Sequence, residues 1–216
     1  MAHIHLEDGS FSLLWVIVWW ASALLLLGIA LYFLRTSRKP DPRRITIAAF
    51  CTAAAFAIFQ VDIPIAGGVH INLTPLIGIL TGPIIGSLIV FITNILSAAI
   101  GHGGWGMIGA NTLVNFSEVI VAYAVFRLLK RWIPDLFSRA GIATILGLFV
   151  GNCVMIAIIL VSGIQGVTQG MAQILPGLSL IFAINMGVAV IEAFVTGLIV
   201  AYMGRVRPDL LDGGKP

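Results

Sequence analysis

The feature that most constrains the fold is a run of 24 residues, 11–34, that contains no charged side chain. In an α-helix such a run is about 36 Å long, which is enough to cross the hydrocarbon core of a bilayer with some tilt. Only 10% of all residues are charged and the mean hydropathy is +1.07, whereas an average soluble domain has about 25% charged residues. We therefore expect an integral membrane protein. Its first helix is expected to be retained, because residues 1–10 carry no lysine or arginine and the apolar run is too long for a signal peptide.

Five further apolar stretches follow the first, at residues 45–61, 73–100, 107–126, 140–161 and 177–203. The second of these is longer than one crossing needs and contains Thr81-Gly82-Pro83, where proline interrupts helical hydrogen bonding. It is predicted to form a short helix, a turn and a full helix from Ile84. The sequence thus predicts an all-α integral membrane protein with seven helical segments in a single domain, residues 1–216.

The basic residues predict the orientation. All 12 lysines and arginines fall into three clusters, within residues 35–44, 127–139 and 205–215. The positive-inside rule places these clusters in the cytoplasm, and seven segments provide the required number of crossings before and between them. The N-terminus is then outside and the C-terminus cytoplasmic. This orientation accounts for the pI near 9.2 without a nucleic-acid-binding patch.

All four histidines fall on the predicted outer side; they are His3, His5, His70 and His102. Met1-Ala2-His3 offers a terminal amine, two backbone amide nitrogens and an imidazole, and four coplanar nitrogens suit Ni(II) or Cu(II). His70 lies near the end of the outer loop 62–72, in which paired glycines permit close approach of backbone. A lone loop histidine is usually an ordinary polar group, but three histidines and a free amine on one face favour a metal site.

Several polar residues lie within the predicted spans. Asn111, Asn115 and Glu118 are spaced at i, i+4 and i+7, and Asn185 and Glu192 are seven apart, so each set can face the bundle interior. A carboxylate within a span is a functional candidate. Hydrogen bonding between helices by a protonated glutamate is the more ordinary interpretation. No catalytic constellation can be placed on one face, so no enzymatic activity is predicted.

The cysteines and tryptophans receive structural interpretations. Cys51 and Cys153 both lie in apolar stretches, which predicts buried small residues and neither a disulfide framework nor a zinc cluster. Four tryptophans near the ends of predicted spans are interpreted as anchors at the membrane interface; they are Trp15, Trp19, Trp20 and Trp132.

Three motifs carry a family resemblance: His5-Leu6-Glu7-Asp8-Gly9, the Pro64-to-Asn72 loop with Gly67-Gly68 and His70, and the glycine-rich run 101–106 followed by Gly109-Ala110-Asn111. With them the chain resembles, over nearly its whole length, the metal-specific membrane component of energy-coupling factor (ECF) transporters for nickel and cobalt, the NikM/CbiM type. The resemblance implies a six-helix core with an extra N-terminal helix and no ATPase activity. It also implies a site in which the N-terminal amine and an adjacent histidine join a loop histidine around Ni(II) or Co(II).

The resemblance also implies partners. These are a transmembrane coupling subunit, which would contact the alanine-rich second helix (residues 48–57), and cytoplasmic ATPase subunits; it allows for a small accessory membrane subunit. Packing within the chain explains the alanines equally well. We expect the substrate-binding component of an ATP-driven Ni(II) importer in a prokaryotic cell membrane. The alternatives are a Co(II) importer component, a stand-alone secondary permease with Glu118 and Glu192 as a polar relay, and a membrane receptor or assembly factor.

The N-terminus departs from the family pattern. In the family the histidine follows the initiator methionine directly, whereas His5 is preceded by Met1-Ala2-His3-Ile4, so the chain looks extended by three residues. If His5 takes the family role, the terminal amine is no longer its neighbour. His3 could substitute, because Met1-Ala2-His3 fills four planar positions unaided and leaves His5 and His70 as alternative or axial ligands. The predicted metal ligands are Met1, Ala2, His3, His5 and His70.

Overall fold

The computed structural model describes residues 8–36, 42–59, 62–63, 69–71, 73–101, 103–166 and 171–211. These residues form six α-helices: α1 (Leu13–Thr36), α2 (Pro42–Phe59), α3 (Thr74–Ala99), α4 (Ile108–Leu128), α5 (Leu136–Ser162) and α6 (Met171–Val206). A short antiparallel hairpin, β1 (Asp62–Ile63) paired with β2 (Val69–His70), lies between α2 and α3. Three 3₁₀ turns complete the described elements: Trp105–Met107, Leu129–Arg131 and Pro208–Leu210. The predicted all-α class is confirmed, and the hairpin is the one departure from it in these ranges.

Five of the helices within the described ranges are long and apolar enough to cross a membrane: Leu13–Thr36, Thr74–Ala99, Trp105–Arg131, Leu136–Ser162 and Ile174–Val206. The apolar part of α2, Thr46–Ile58, is shorter. α6 begins at Met171 and continues through Pro176, so the prediction that this helix starts at Gly177 is wrong. Ile174 and Leu178 pack against a buried cluster on either side of Pro176, which offsets the lost helical hydrogen bond.

The break predicted inside the third apolar stretch is present. Gly82 has φ 79° and ψ 173°, outside the helical region, and separates the two parts of α3 ahead of Pro83. Both parts pack closely on α4. A Cβ at Gly78 would lie 2.5 Å from the Val119 carbonyl oxygen, and one at Gly86 would lie 2.8 Å from Val119 Cγ1. The break at Gly82 thus lets both helical pieces pack against the same residue of α4, Val119.

The helix ends gather at two ends of the bundle. We call the end that carries residues 103–107 and 163–166 the loop end, and the end that carries residues 129–135 and 205–211 the basic end. A buried cluster lies near the loop end: Phe11, Met107, Ala110, Val114, Met155, Ile158, Ile159 and Leu178. A second includes residues near the basic end: Leu73, Leu76, Ile79, Phe126, Ala140, Ala143, Val200 and Leu211.

The two cysteines differ in burial. Cys51 is partly buried and packs with α3, but Cys153 is exposed on α5, so the prediction that both are buried is wrong for Cys153. A membrane helix has positions that face outward as well as positions that face the core, and hydropathy alone does not distinguish them.

Candidate metal-binding site

The predicted metal ligands lie almost entirely outside the described residues. Met1, Ala2, His3 and His5 are outside them, and His70 is described only in its backbone, where it pairs with Asp62 in the hairpin. In the part of the chain that the structure describes, no group of three or more His, Cys, Asp or Glu side chains could hold a metal ion. The set of metal ligands therefore remains a prediction. The structure does show how residues 8–11, which follow the predicted N-terminal ligands, are held.

Asp8 is hydrogen-bonded to the first turn ahead of α4. Its Oδ2 accepts the Trp105 N–H at 3.1 Å, and its Oδ1 accepts the Gly106 N–H at 2.7 Å. Trp105 begins the 3₁₀ turn that runs into α4, and the N–H groups at a helix start have no partner within the helix and attract negative charge. Asp8 therefore caps this helix start from 97 residues away in sequence.

Two glycines of the glycine-rich run make room for the Asp8 carboxylate. A Cβ at Gly104 would lie 2.8 Å from Asp8 Cγ, which is closer than real Cβ contacts, and one at Gly106 would lie 3.1 Å from Asp8 Oδ1. Asp8 of the first motif thus contacts Gly104 and Gly106 of the glycine-rich motif. Sequence reasoning singled out both motifs but did not assign Asp8 a role.

A second loop holds the same segment. The Ser10 carbonyl oxygen accepts the Gln165 N–H at 2.8 Å, in the turn after α5. Phe11, the next residue, is only 2% exposed and belongs to the buried cluster near the loop end, with Met107 and Met155. Residues 8–11, which we call the anchor segment, are therefore fixed by the loops before α4 and after α5.

Tryptophans of α1 brace the loop end. Trp19 Nε1 donates to Ser162 Oγ at 2.8 Å, and Trp20 Nε1 donates to the Trp105 carbonyl oxygen at 3.2 Å. The backbone of both tryptophans lies against Gly109, where a Cβ would be 2.5 Å from the Trp20 nitrogen. The interpretation of these residues as interface anchors is therefore incomplete, because they also join α1 to α4 and α5.

The polar residues within the spans face the interior, as predicted. Asn111, Asn115, Glu118, Asn185 and Glu192 are all buried. Two asparagines that were not predicted, Asn94 and Asn152, are the partners of Asn115 and Asn185 on neighbouring helices. Asn115 Nδ2 donates to Asn94 Oδ1 of α3 at 3.3 Å, and Asn185 Nδ2 donates to Asn152 Oδ1 of α5 at 2.8 Å. Their one sequence signal is an amide within an apolar stretch.

Glu118 is fully buried between α4 and α5. A Cβ at Gly151 of α5 would lie 2.8 Å from Glu118 Cδ, and one at Gly147 would lie 3.1 Å from the Glu118 carbonyl oxygen. The carboxyl group is thus enclosed by protein, at an interface that glycines make close. Glu192 of α6 is equally buried.

The basic end is ordered by local ion and hydrogen-bond contacts. Asp135 caps α5, and hydrogen bonds from the Ser138 side chain and backbone lower the pKa of Asp135 because they stabilise the carboxylate. The paired Asp209 carboxylate, 2.7 Å away, raises the pKa of Arg207. Arg139 is buried with its guanidinium carbon 4.2 Å from the Phe126 ring centroid.

Residues 5–210 match the family CbiM, described as the cobalt uptake substrate-specific transmembrane region. The putative cobalt transport protein CbiM 1 of Methanocorpusculum labreanum is 25% identical over 219 residues, which cover 96% of this chain and 92% of that protein. The cobalt transport protein CbiM of Sorangium cellulosum is 28% identical over 215 residues, with 97% and 95% covered. That of Ruminiclostridium cellulolyticum is 29% identical over 156 residues, which span 69% of this chain and 60% of that protein.

The fold also matches a solved structure. A crystal structure of a transition metal transporter superposes with a TM-score of 0.79 at 21% identity, and the match covers 97% of this chain and 96% of that one. The apolar helices and the family match define a multi-pass transport component of the cell membrane, and not an enzyme. The chain belongs to the CbiM family, the substrate-specific transmembrane region of cobalt uptake.

Proposed function

We propose that this chain is the metal-capturing membrane component of an ATP-driven, ECF-type importer, with Co(II) as substrate and Ni(II) as the second metal. The observation that carries the proposal is the family match over residues 5–210. It reverses the order of metals predicted from the sequence, in which Ni(II) came first. Both ions accept amine and imidazole nitrogens, so the predicted donors suit either.

We propose that the metal is held by the N-terminal residues Met1, Ala2, His3 and His5 together with His70. The anchor segment supports this arrangement, because Asp8 ties the chain to the loop end three residues after His5. Three residues of chain reach at most about 11 Å, so the bound Asp8 limits where His5 can lie.

The proposed orientation places the loop end outside and the basic end in the cytoplasm, with seven helical segments when the two parts of α3 are counted separately. The basic residues support it, since Arg127 and Arg131 lie at the end of α4 and in the 3₁₀ turn after it, and Arg205 and Arg207 lie at the end of α6 and just beyond it. Trp132, which is 69% exposed beside Arg131, fits an anchor at the inner interface.

The coupling subunit is proposed to contact α2. One face of this helix, with Ala48, Cys51 and Ala55, packs against α3. The remaining alanines are exposed, at positions 49, 53, 54 and 57, next to Phe50, which is 74% exposed. Packing within the chain therefore accounts for one face of α2, and the exposed small side chains of the other face offer a surface that another helix can approach closely.

In the proposed cycle the metal is captured at the loop end, the glycine-rich loops close over it, and ATP hydrolysis in the partner subunits reorients the bundle to release the metal inside. Uptake of radioactive cobalt into proteoliposomes tests this. We expect ATP-dependent uptake only when the chain is combined with its coupling and ATPase subunits. Binding without uptake in every combination would indicate a receptor or assembly factor.

A stand-alone secondary permease is the second candidate. The observation in its favour is the complete burial of Glu118 and Glu192 within the bundle. Uptake by proteoliposomes that contain this chain alone, abolished by Glu118→Gln or Glu192→Gln, would support the permease and contradict the ATP-driven importer.

A further inference from the structure

We infer that Asp8 is a positioning residue that fixes the metal-binding N-terminal segment on the start of α4 without being a ligand itself. The inference rests on the proposed function, since it assigns Asp8 a role in that metal site. It goes further in separating a residue that holds the site from the residues that bind the ion.

The Asp8 carboxylate is bound by the protein backbone. Its two oxygens accept two successive backbone N–H groups, those of Trp105 and Gly106, at 3.1 and 2.7 Å. Hydrogen bonds to a charged acceptor at a helix start are stronger than neutral ones. These two bonds hold Asp8 against the start of α4 and reduce the electron density that its oxygens can offer to an ion.

The peptide that Asp8 binds is held from its other side. The Trp105 carbonyl oxygen accepts the Trp20 indole N–H, so one peptide segment links the anchor segment, α1 and the start of α4. Gly104 and Gly106 lie so close to the carboxylate that a side chain at Gly104 would displace it. The Asp8 carboxylate therefore has a defined position against Gly104 and Gly106.

This arrangement affects metal selectivity. Mg²⁺, Ca²⁺ and Mn²⁺ prefer oxygen ligands, whereas imidazole and amine nitrogens suit cobalt and nickel. Because each Asp8 oxygen already accepts a backbone N–H group, Asp8 is a poorer donor to an ion at the neighbouring segment than a free carboxylate would be. This favours nitrogen donors at the proposed site.

The test uses the purified full-length chain and CoCl₂. Isothermal titration calorimetry is expected to show about fivefold to tenfold weaker binding for Asp8→Ala, the effect of losing a helix cap. Asp8→Asn, which keeps one acceptor oxygen, should fall between Asp8→Ala and the wild type. The visible absorption spectrum of the Co(II)-saturated protein should be the same in all three, since the ligands are unchanged.

A second variant disturbs the same contact and keeps the Asp8 carboxylate. Gly104→Ala places a methyl group where the Asp8 carboxylate lies and should weaken binding as Asp8→Ala does. Gly187→Ala is its matched control, because a Cβ at Gly187 meets nothing within 4 Å. Asp209→Asn, at an exposed carboxylate of the basic end, is the control for Asp8→Asn. Both controls should bind Co(II) like the wild type.

Hydrogen exchange in the metal-free protein separates this inference from the proposed function. The Trp105 and Gly106 amides should exchange faster in Asp8→Ala than in the wild type. Unchanged Co(II) affinity in Asp8→Ala would overturn the inference and leave the proposed function standing, and an altered Co(II) spectrum at saturation would overturn it by making Asp8 a ligand. A wild-type chain that binds neither Co(II) nor Ni(II) would refute the proposed function, and faster exchange in Asp8→Ala would then reduce Asp8 to a helix cap without a metal role.

Discussion

The close contact between Glu118 and Gly151 predicts how much a substitution at Gly151 lowers the stability of the protein. In Gly151→Ala, the added methyl group would overlap the Glu118 side chain, with its carbon 2.8 Å from Glu118 Cδ. Overpacking of this kind typically costs about 1–3 kcal/mol. Glycine to alanine within a helix contributes about 1 kcal/mol in the opposite direction, so the clash is best isolated by comparison with a glycine in open space.

Gly187→Ala in α6 provides that comparison, since it gains the same helix propensity without a contact. We expect Gly151→Ala to be less stable than Gly187→Ala by about 1–3 kcal/mol. Unfolding by sodium dodecyl sulfate in mixed micelles, followed by circular dichroism, measures the difference.

A double-mutant cycle assigns the cost to Glu118. Truncation in Glu118→Ala removes the overlapping atoms, so Gly151→Ala should be less harmful in that background, with a coupling energy of about 1 kcal/mol or more. Any other interaction of Glu118 is lost in both arms of the cycle and cancels. Equal stabilities of Gly151→Ala and Gly187→Ala would refute the reasoning and place the Glu118 side chain elsewhere.

Three further predictions concern the metal. Glu118→Gln and Glu192→Gln should keep stoichiometric Co(II) binding by calorimetry, because both carboxyl groups lie within the bundle; loss of binding in a folded variant would bring that carboxylate into the site. A bulky tag before Met1 and His70→Ala should each weaken binding, and together cost less than the sum, because they damage one site; unchanged affinity in His70→Ala with complete loss in the tagged chain would show that the terminus alone holds the metal. Bound Ni(II) should be low-spin with coplanar nitrogen ligands, and an absorption spectrum of octahedral, oxygen-rich coordination would contradict this.

The sequence predicted the features that depend on local composition. Apolar stretches located the six helices, and Thr81-Gly82-Pro83 located the break that the structure has at Gly82. The spacing of Asn111, Asn115 and Glu118 identified an interior face, because helical periodicity is a local property. The predicted start of α6 was wrong because packing of Ile174 and Leu178 against the core outweighs the helical hydrogen bond lost at Pro176.

Features that depend on contacts distant in sequence were not predictable in this way. Asp8 is one of two adjacent acidic residues in a polar segment, and nothing local indicates that its carboxylate caps a helix that starts near residue 105. Trp20 likewise matches an interface anchor by position, and its bond to Trp105 appears only in the folded bundle. The predicted ligands fall outside the described residues or, for His70, are described only in the backbone, so their arrangement depends on the experiments above.

The contacts of the anchor segment favour one way in which the protein can change from metal capture outside to metal release inside. Detaching this segment would break the two Asp8 bonds and the Ser10 bond to Gln165, and would expose Phe11. Burial of a phenylalanine and three such hydrogen bonds together amount to roughly 5 kcal/mol or more. Because the loops before α4 and after α5 share these contacts, the segment and the helices it joins are expected to move together. For the proposed ATP-driven cycle we therefore expect release to follow reorientation of the bundle by the partner subunits, with Asp8 still bound to Trp105 and Gly106.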